Sequence, residues 1–136
     1  MQGRSVLKIL LVEDEEVDRL ATSKLLQFRG YDVAAVANGA EAISRRREES
    51  FDMVLMDIRM PIMDGVKATR AIRNAEAGEN ARNILIIALT AYAMVEDREK
   101  CIAEGMDDYI SKPVNYEELD AVIVRVCASR NSAPSH

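Results

Sequence analysis

Five short apolar runs alternate with five helical patterns along the chain, and this alternation constrains the fold more than any other feature. The apolar runs predict strands over residues 6–12, 31–37, 51–56, 84–89 and 108–111. Helical patterns follow over residues 15–29, after the capping residue Asn38, over residues 66–77 and 93–104, and after the capping residue Asn115. Runs without polar alternation are typical of strands that helices cover on both faces. The sequence therefore predicts an α/β fold with one doubly wound parallel sheet.

The length of 136 residues fits a single domain, which we predict over residues 1–129, followed by a flexible tail over residues 130–136. No apolar run approaches the ~20 residues that a membrane span needs, and the N-terminus lacks the features of a signal peptide. A cytoplasmic protein without a membrane partner is therefore expected. The net charge of −5 argues against a nucleic-acid partner.

The two cysteines and the single histidine limit the chemistry of the chain. Cys101 and Cys127 form no CxxC pair and are interpreted as small hydrophobic residues on helices. The only histidine is His136, the last residue. This excludes an internal histidine-based catalytic triad and a zinc site of the usual histidine type.

Polar residues collect at the points where the predicted strands end. Glu13 and Asp14 follow the first strand, Asp57 the third, Thr90 the fourth, and Lys112 lies at the end of the fifth. The carboxyl ends of parallel strands share one edge of the sheet. Three carboxylates at one edge repel each other unless a cation neutralises them, and Mg²⁺ suits such oxygen ligands. A metal, an ammonium group, a hydroxyl and a nucleophilic carboxylate are together suited to phosphoryl transfer.

These positions resemble the receiver domain of bacterial two-component response regulators. The resemblance covers residues 6 to about 128, and four segments carry it: Glu13-Asp14, the run MDIRMPIMDG, ALTA at residues 88–91 and DDYISKP at residues 107–113. It implies a flavodoxin-like (βα)5 fold whose five-stranded parallel sheet has the order 2-1-3-4-5. The loop over residues 77–83, LTAYAM and GMDDYISKPV further resemble the receiver modules of hybrid histidine kinases. An excised module and a single-domain regulator both stay open.

The resemblance also implies roles for the residues at the strand ends. Asp57 would accept a phosphoryl group from the phosphohistidine of a histidine kinase or a histidine phosphotransfer protein. The implied Mg²⁺ ligands are Glu13, Asp14, Asp57 and the backbone carbonyl of Arg59. Lys112 would pair with a phosphoryl oxygen. Apart from catalysing its own phosphorylation and dephosphorylation, the domain would not be an enzyme.

The resemblance further implies a switch that passes the signal on. Thr90 would bond to another phosphoryl oxygen and move toward it, and Tyr109 would then turn inward. This movement would alter the face formed by the predicted fourth helix, the fifth strand and the last helix, which would bind a downstream protein or form a homodimer. Arg59 and Tyr92 would flank the attacking water and tune the phosphoryl lifetime, and the large Tyr92 predicts slow hydrolysis.

Three other classes of protein share features with this pattern, and each would need residues or absences that differ from this sequence. A haloacid-dehalogenase-like phosphatase would need a second acid two residues after the nucleophile, where this chain has Arg59. A flavin-binding module would need a phosphate loop rich in glycine and hydroxyl groups after the first strand. This chain instead has four consecutive acids there, at residues 13–16. A docking-only pseudo-receiver would lack one of the acids or the lysine, and all of them are present.

Overall fold

The computed structural model describes residues 7–58, 65–74, 83–90, 99, 102–112 and 114–132. The elements in these ranges are β1 (Lys8–Val12), α1 (Glu16–Phe28), β2 (Asp32–Val36), α2 (Gly39–Glu48), β3 (Met53–Asp57), α3 (Gly65–Arg73), β4 (Leu85–Thr90), β5 (Asp108–Ser111) and the C-terminal helix (Tyr116–Ser132). The strands are parallel and form one sheet in the order β2-β1-β3-β4-β5. The predicted fold class and strand order are confirmed. The predicted fourth helix lies almost entirely outside the described residues.

Apart from one polar residue at an end of each, the central strands β1, β3 and β4 are apolar because they contribute to two separate cores. Leu10 and Val12 of β1 join the core on one face of the sheet, whereas Ile9 and Leu11 join the core on the other face. Successive side chains of a strand point to opposite faces, so both faces need apolar residues. Each fully buried aliphatic side chain contributes about 1.5–3 kcal/mol. Among the helices of the described segments, none is long and apolar enough to cross a membrane.

Two predicted helix caps are present and fix where the helices begin after the sheet edge. Asn38 Oδ1 accepts a hydrogen bond from the backbone N–H of Glu41 at 2.9 Å, and Glu41 Oε1 accepts one from the N–H of Ala37 at 3.1 Å. This resembles the reciprocal pattern of a capping box, except that Glu41 reaches the residue before the cap. Asn115 Oδ1 likewise accepts from the N–H of Glu118 at 2.9 Å. Both caps therefore satisfy N–H groups that the helices leave without intrahelical partners.

The C-terminal helix carries the apolar stripe that its sequence predicts. The buried members of that stripe are Leu119, Val122, Ile123 and Val126. Cys127 packs against the same core, as expected of a small hydrophobic residue, whereas Cys101 lies outside the described residues. The helix continues to Ser132, into the segment that we assigned to the tail, because the sequence offers no helix breaker before Pro134. The division of the chain at residue 129 stays a prediction.

The apolar stripe of α1 faces outward, although a stripe of that spacing ordinarily packs on a core. Val17, Leu20 and Phe28 expose 72%, 57% and 83% of their surface, and the buried residues of the helix are instead Thr22 and Leu26. The helix therefore leaves these three apolar side chains uncovered by the described part of the chain, whereas Leu25 is half-buried and packs against the core.

The orientation of α1 is held at its C-terminal end. Arg29 Nε donates to Asp120 Oδ2 at 2.7 Å, and the hydroxyl of Tyr31 donates to Asp120 Oδ1 at 3.2 Å. Burial and the neighbouring Asp120 carboxylate raise the pKa of Tyr31 to about 12, so the phenol remains a donor at neutral pH. These contacts tie the end of α1 to the C-terminal helix.

The C-terminal end of α3 is tied to the segment that leads into β5. Arg73 donates to the carbonyl of Gly105 from Nε at 2.9 Å and from Nη2 at 2.7 Å, and to the carbonyl of Ile84 from Nη1 at 2.6 Å. Arg70 makes a two-pronged ion pair with Glu104 at 2.5 and 2.7 Å. Both arginines thus fix the segment before β5, and Lys112 directly follows the last residue of that strand.

Candidate functional site

The parallel sheet brings the predicted site residues to one edge. Val12 pairs with Met56 in register, so the residues that follow β1 lie beside the end of β3. Asp57 is the last residue of β3 and pairs with Leu89, the residue before Thr90. The strand register alone therefore places the ends of these strands side by side.

Three carboxylates converge at this edge. Glu13, Asp14 and Asp57 each place a carboxylate oxygen within 4.8 Å of the others. Glu13 and Asp57 are almost fully buried, at 1% and 5% exposure, whereas Asp14 is exposed. Burial, together with the neighbouring Glu13 and Asp14 carboxylates, raises the pKa of Asp57 to about 7, although Lys112 opposes the shift. A cluster of this kind is suited to a hard cation with oxygen ligands, such as Mg²⁺.

Lys112 lies within reach of the buried carboxylates. Its Nζ is 2.7 Å from Glu13 Oε1 and 3.4 Å from Asp57 Oδ2. Its backbone N–H donates to the carbonyl of Thr90 at 2.7 Å, which fixes the base of the side chain. Burial lowers the pKa of Lys112, but its pairing with Glu13 and Asp57 outweighs this, so the pKa lies above its usual value. Lys112 is therefore a cation at neutral pH.

The predicted switch residues occupy neighbouring strands. Thr90 is the last residue of β4, is 7% exposed and pairs in register with Ser111 of β5. Tyr109 is half-buried and packs against the core on one face of the sheet. Arg59 and Tyr92, the predicted lifetime-tuning residues, lie outside the described residues, and so does Pro113.

Two residues at the site were missed by the sequence analysis. Arg19 Nη1 donates to the carbonyl of Glu13 at 3.0 Å and to the carbonyl of Asp14 at 3.4 Å, so it fixes the backbone of the acidic pair. Asp18 Oδ2 lies 3.9 Å from Lys112 Nζ. The sequence did contain one signal for them. Both residues lie in the first turn of α1, only a few positions after Asp14, so they stay close to the sheet edge.

A cleft of about 510 Å³ opens beside Lys112. Glu13, Asp18 and Lys112 form its polar wall, and Ala21, Leu25 and Val114 contribute to its apolar wall. The cleft therefore joins the charged site to the side of α1.

The fold and the site together define a doubly wound α/β domain with a cluster of three carboxylates and a lysine at the carboxyl edge of its sheet. The family described as the response regulator receiver domain matches residues 9–124. The chain therefore belongs to the receiver domain family, and the predicted resemblance is confirmed.

Relatives at moderate identity give the context in which such domains occur. The sensor protein GacS of Pseudomonas syringae pv. syringae is 41% identical over 129 residues, which cover 93% of this chain and 14% of that protein. This chain thus spans only a small part of that relative. The resemblance to receiver modules of hybrid kinases is likewise confirmed.

Two solved structures are informative about the site. The receiver domain of a sensor histidine kinase from Pseudomonas aeruginosa PAO1, with a magnesium ion coordinated in its active site cleft, is 42% identical and has a TM-score of 0.80. The match covers 91% of this chain and 99% of that one. A co-crystal structure of the Saccharomyces cerevisiae histidine phosphotransfer protein Ypd1 with the receiver domain of Ssk1 matches at 26% identity with a TM-score of 0.82. That match covers 95% of this chain and 94% of the other.

Proposed function

We propose that this domain accepts a phosphoryl group on Asp57 from the phosphohistidine of a histidine kinase or a histidine phosphotransfer protein. A carboxylate oxygen of Asp57 attacks phosphorus, the phosphorus–nitrogen bond breaks, and the imidazole nitrogen keeps the electron pair. One observation carries this proposal: a buried carboxylate at a strand end lies 3.4 Å from a lysine and within a cluster of acids.

The electrostatics of the site support a requirement for a cation. Asp57 must be ionised to act as a nucleophile, yet its pKa is raised to about 7 by burial and by neighbouring carboxylates. Glu13, Asp14 and Asp57, with the backbone carbonyl of Arg59, would hold Mg²⁺. When bound, Mg²⁺ would supply positive charge to the carboxylates and to the phosphoryl oxygens.

Lys112 and Thr90 would bind the phosphoryl group once it is attached. The group adds about two negative charges, and Lys112 lies close enough to exchange its pairing with Glu13 for a phosphoryl oxygen. Thr90 would donate its hydroxyl to a second oxygen, and Tyr109 would follow it inward. The face formed by the predicted fourth helix, β5 and the C-terminal helix would then bind a downstream protein or a second copy. Arg59 and Tyr92 would tune the lifetime of the aspartyl phosphate.

The exposed face of α1 is a docking surface suited to the phosphohistidine donor. The donor histidine must reach Asp57, so the donor protein must cover the surface around the site. Val17, Leu20 and Phe28 provide exposed apolar area on the helix whose Leu25 lines the cleft next to Lys112. Exposed apolar patches often mark protein interaction sites. The Ypd1–Ssk1 complex supports a histidine phosphotransfer protein as the occupant.

We further propose that the receiver unit extends over residues 1–129 and acts in the cytoplasm without nucleic-acid or membrane partners. It would catalyse only its own phosphorylation and dephosphorylation, at Asp57.

The direct test is the intact mass of the protein after incubation with acetyl phosphate, with and without Mg²⁺. We expect one phosphoryl adduct that requires Mg²⁺ and is absent from Asp57→Asn. Asp32→Asn is the matched control because Asp32 is an exposed acid at the start of β2, and it should keep the adduct. An adduct that survives in Asp57→Asn would refute the assignment, and no adduct in any variant would favour the docking-only alternative.

A further inference from the structure

We propose that Asp18 is a specificity-determining residue for the phosphorylation of Asp57, because its negative charge disfavours small dianionic phosphodonors. This inference rests on the proposed phosphoacceptor function. Asp18 was not among the predicted site residues, and it contributes to the site through its charge.

Asp18 faces the route to the site. Its carboxylate lies on the first turn of α1, its side chain is 52% exposed, and it lines the cleft that also contains Lys112. Asp18 Oδ2 is 3.9 Å and Asp57 Oδ2 is 3.4 Å from the same Lys112 Nζ. The two carboxylates therefore lie within about 7 Å of each other, inside the Debye length of about 8 Å at physiological ionic strength.

The charge of Asp18 differs in kind from the charges of the three clustered acids. Glu13, Asp14 and Asp57 form the cluster suited to a cation, so a bound cation would neutralise them. Asp18 is not a member of that cluster and shares only Lys112 with it. Its negative charge would therefore still face an incoming donor when the cation site is filled.

Two effects of Asp18 act in the same direction on a small anionic donor. The carboxylate repels the anion directly, and it attracts Lys112 toward α1 and away from the phosphoryl position next to Asp57. A protein donor that docks on α1 can place a basic side chain over Asp18 and so remove the repulsion. A small anion has no such group.

The expected size follows from Coulomb's law. We take the limit of about 7 Å between Asp18 and Asp57 as the distance from Asp18 to the bound donor. In a water-like dielectric, Asp18 then changes the rate constant about threefold for a donor with one negative charge and about sevenfold for a donor with two. Asp18→Asn should thus speed phosphorylation by acetyl phosphate, a dianion, about sevenfold, and by phosphoramidate, a monoanion, about threefold. Both gains should shrink as salt is added.

The experiment measures the rate of adduct formation by intact mass with each donor, at low and high salt and at saturating Mg²⁺. Asp18→Glu keeps the charge and should keep the parent rates. Glu16→Gln is the matched control, since Glu16 is an exposed acid on the same turn and is not among the described acids paired with Lys112. Mg²⁺ affinity is titrated in parallel and should be equal or weaker in Asp18→Asn, so that tighter metal binding cannot explain a faster rate.

A gain that depends on donor charge, falls with salt and exceeds that of Glu16→Gln supports the proposal. Equal rates for the parent and Asp18→Asn, or an equal gain with both donors, would overturn it while leaving the phosphoacceptor function in place. If the parent forms no adduct with either donor, both the function and this inference fail.

Discussion

Replacing Asp57 with asparagine should stabilise the cation-free domain, even though it removes the proposed nucleophile. Asp57 is a buried carboxyl group whose pKa is raised from 3.8 to about 7 by burial and by the carboxylates of Glu13 and Asp14. Ionising it in the folded state is therefore unfavourable compared with ionising it in the unfolded chain. An amide at this position has no charge to ionise.

The sign of the pH dependence follows from proton binding. Below about pH 4 the carboxyl group is protonated in both states. Between about pH 4 and pH 7 the folded chain keeps a proton that the unfolded chain has released, so the free energy of unfolding falls as the pH rises. Above pH 7 the destabilisation is complete. The advantage of Asp57→Asn should thus grow between about pH 4 and pH 7 and then level off.

The magnitude has an upper limit of about 4 kcal/mol, since each unit of pKa shift corresponds to 1.36 kcal/mol. Asparagine must still bury a polar amide, which costs about 1–3 kcal/mol. We therefore expect a net gain of at most about 1–3 kcal/mol at pH 8. For a domain of this size, this corresponds to several degrees in the melting temperature.

Urea unfolding at pH 4, 6 and 8 in the presence of a chelator measures this difference. Asp32→Asn controls for the removal of an exposed acid and should change the free energy of unfolding by less than about 0.5 kcal/mol. Saturating Mg²⁺ should stabilise the parent more than Asp57→Asn, because the variant lacks one ligand. A variant that is less stable than the parent at pH 8 without Mg²⁺, or a pH-independent difference, would refute the electrostatic reasoning.

Two further predictions compare matched pairs of substitutions by urea titration. Gly105→Ala should destabilise more than Gly30→Ala: both residues have positive φ, at 106° and 92°, but only at Gly105 would a Cβ meet Arg73 Cγ, at 3.2 Å, whereas nothing lies within 4 Å at Gly30. Equal losses would contradict a role for the Arg73 contact. Leu26→Ala should cost about 2–5 kcal/mol because Leu26 is fully buried, whereas Leu20→Ala, on the exposed face, should stay within about 0.5 kcal/mol. A large loss for Leu20→Ala would mean that this face contributes to folding.

The sheet and the position of Asp57 at its edge could be predicted from the sequence because both depend on local patterns. Apolar runs such as residues 84–89 indicate buried strands wherever they occur, and parallel pairing then fixes which ends meet. The contacts of Lys112 were less accessible. The resemblance implied a partner in the phosphoryl group, whereas the structure shows Glu13 nearest to its ammonium group, with Asp57 and Asp18 farther away. The distance to Asp18 depends on the packing of α1, which no residue pattern specifies.

The outward stripe of α1 shows what an amphipathic pattern can and cannot establish. The spacing of Val17, Leu20 and Phe28 indicates that a helix has an apolar face, but it does not say which surface covers that face. In this fold Thr22, Leu25 and Leu26 lie toward the sheet, so the three residues of the stripe stay exposed after folding. Burying three such side chains in a complex would supply several kcal/mol, at about 1.5–3 kcal/mol each. This is a useful fraction of the roughly 8 kcal/mol of a micromolar complex. The same helix carries Asp18 at the cleft, so a partner that binds the stripe would also contact the negative charge of Asp18 near Asp57.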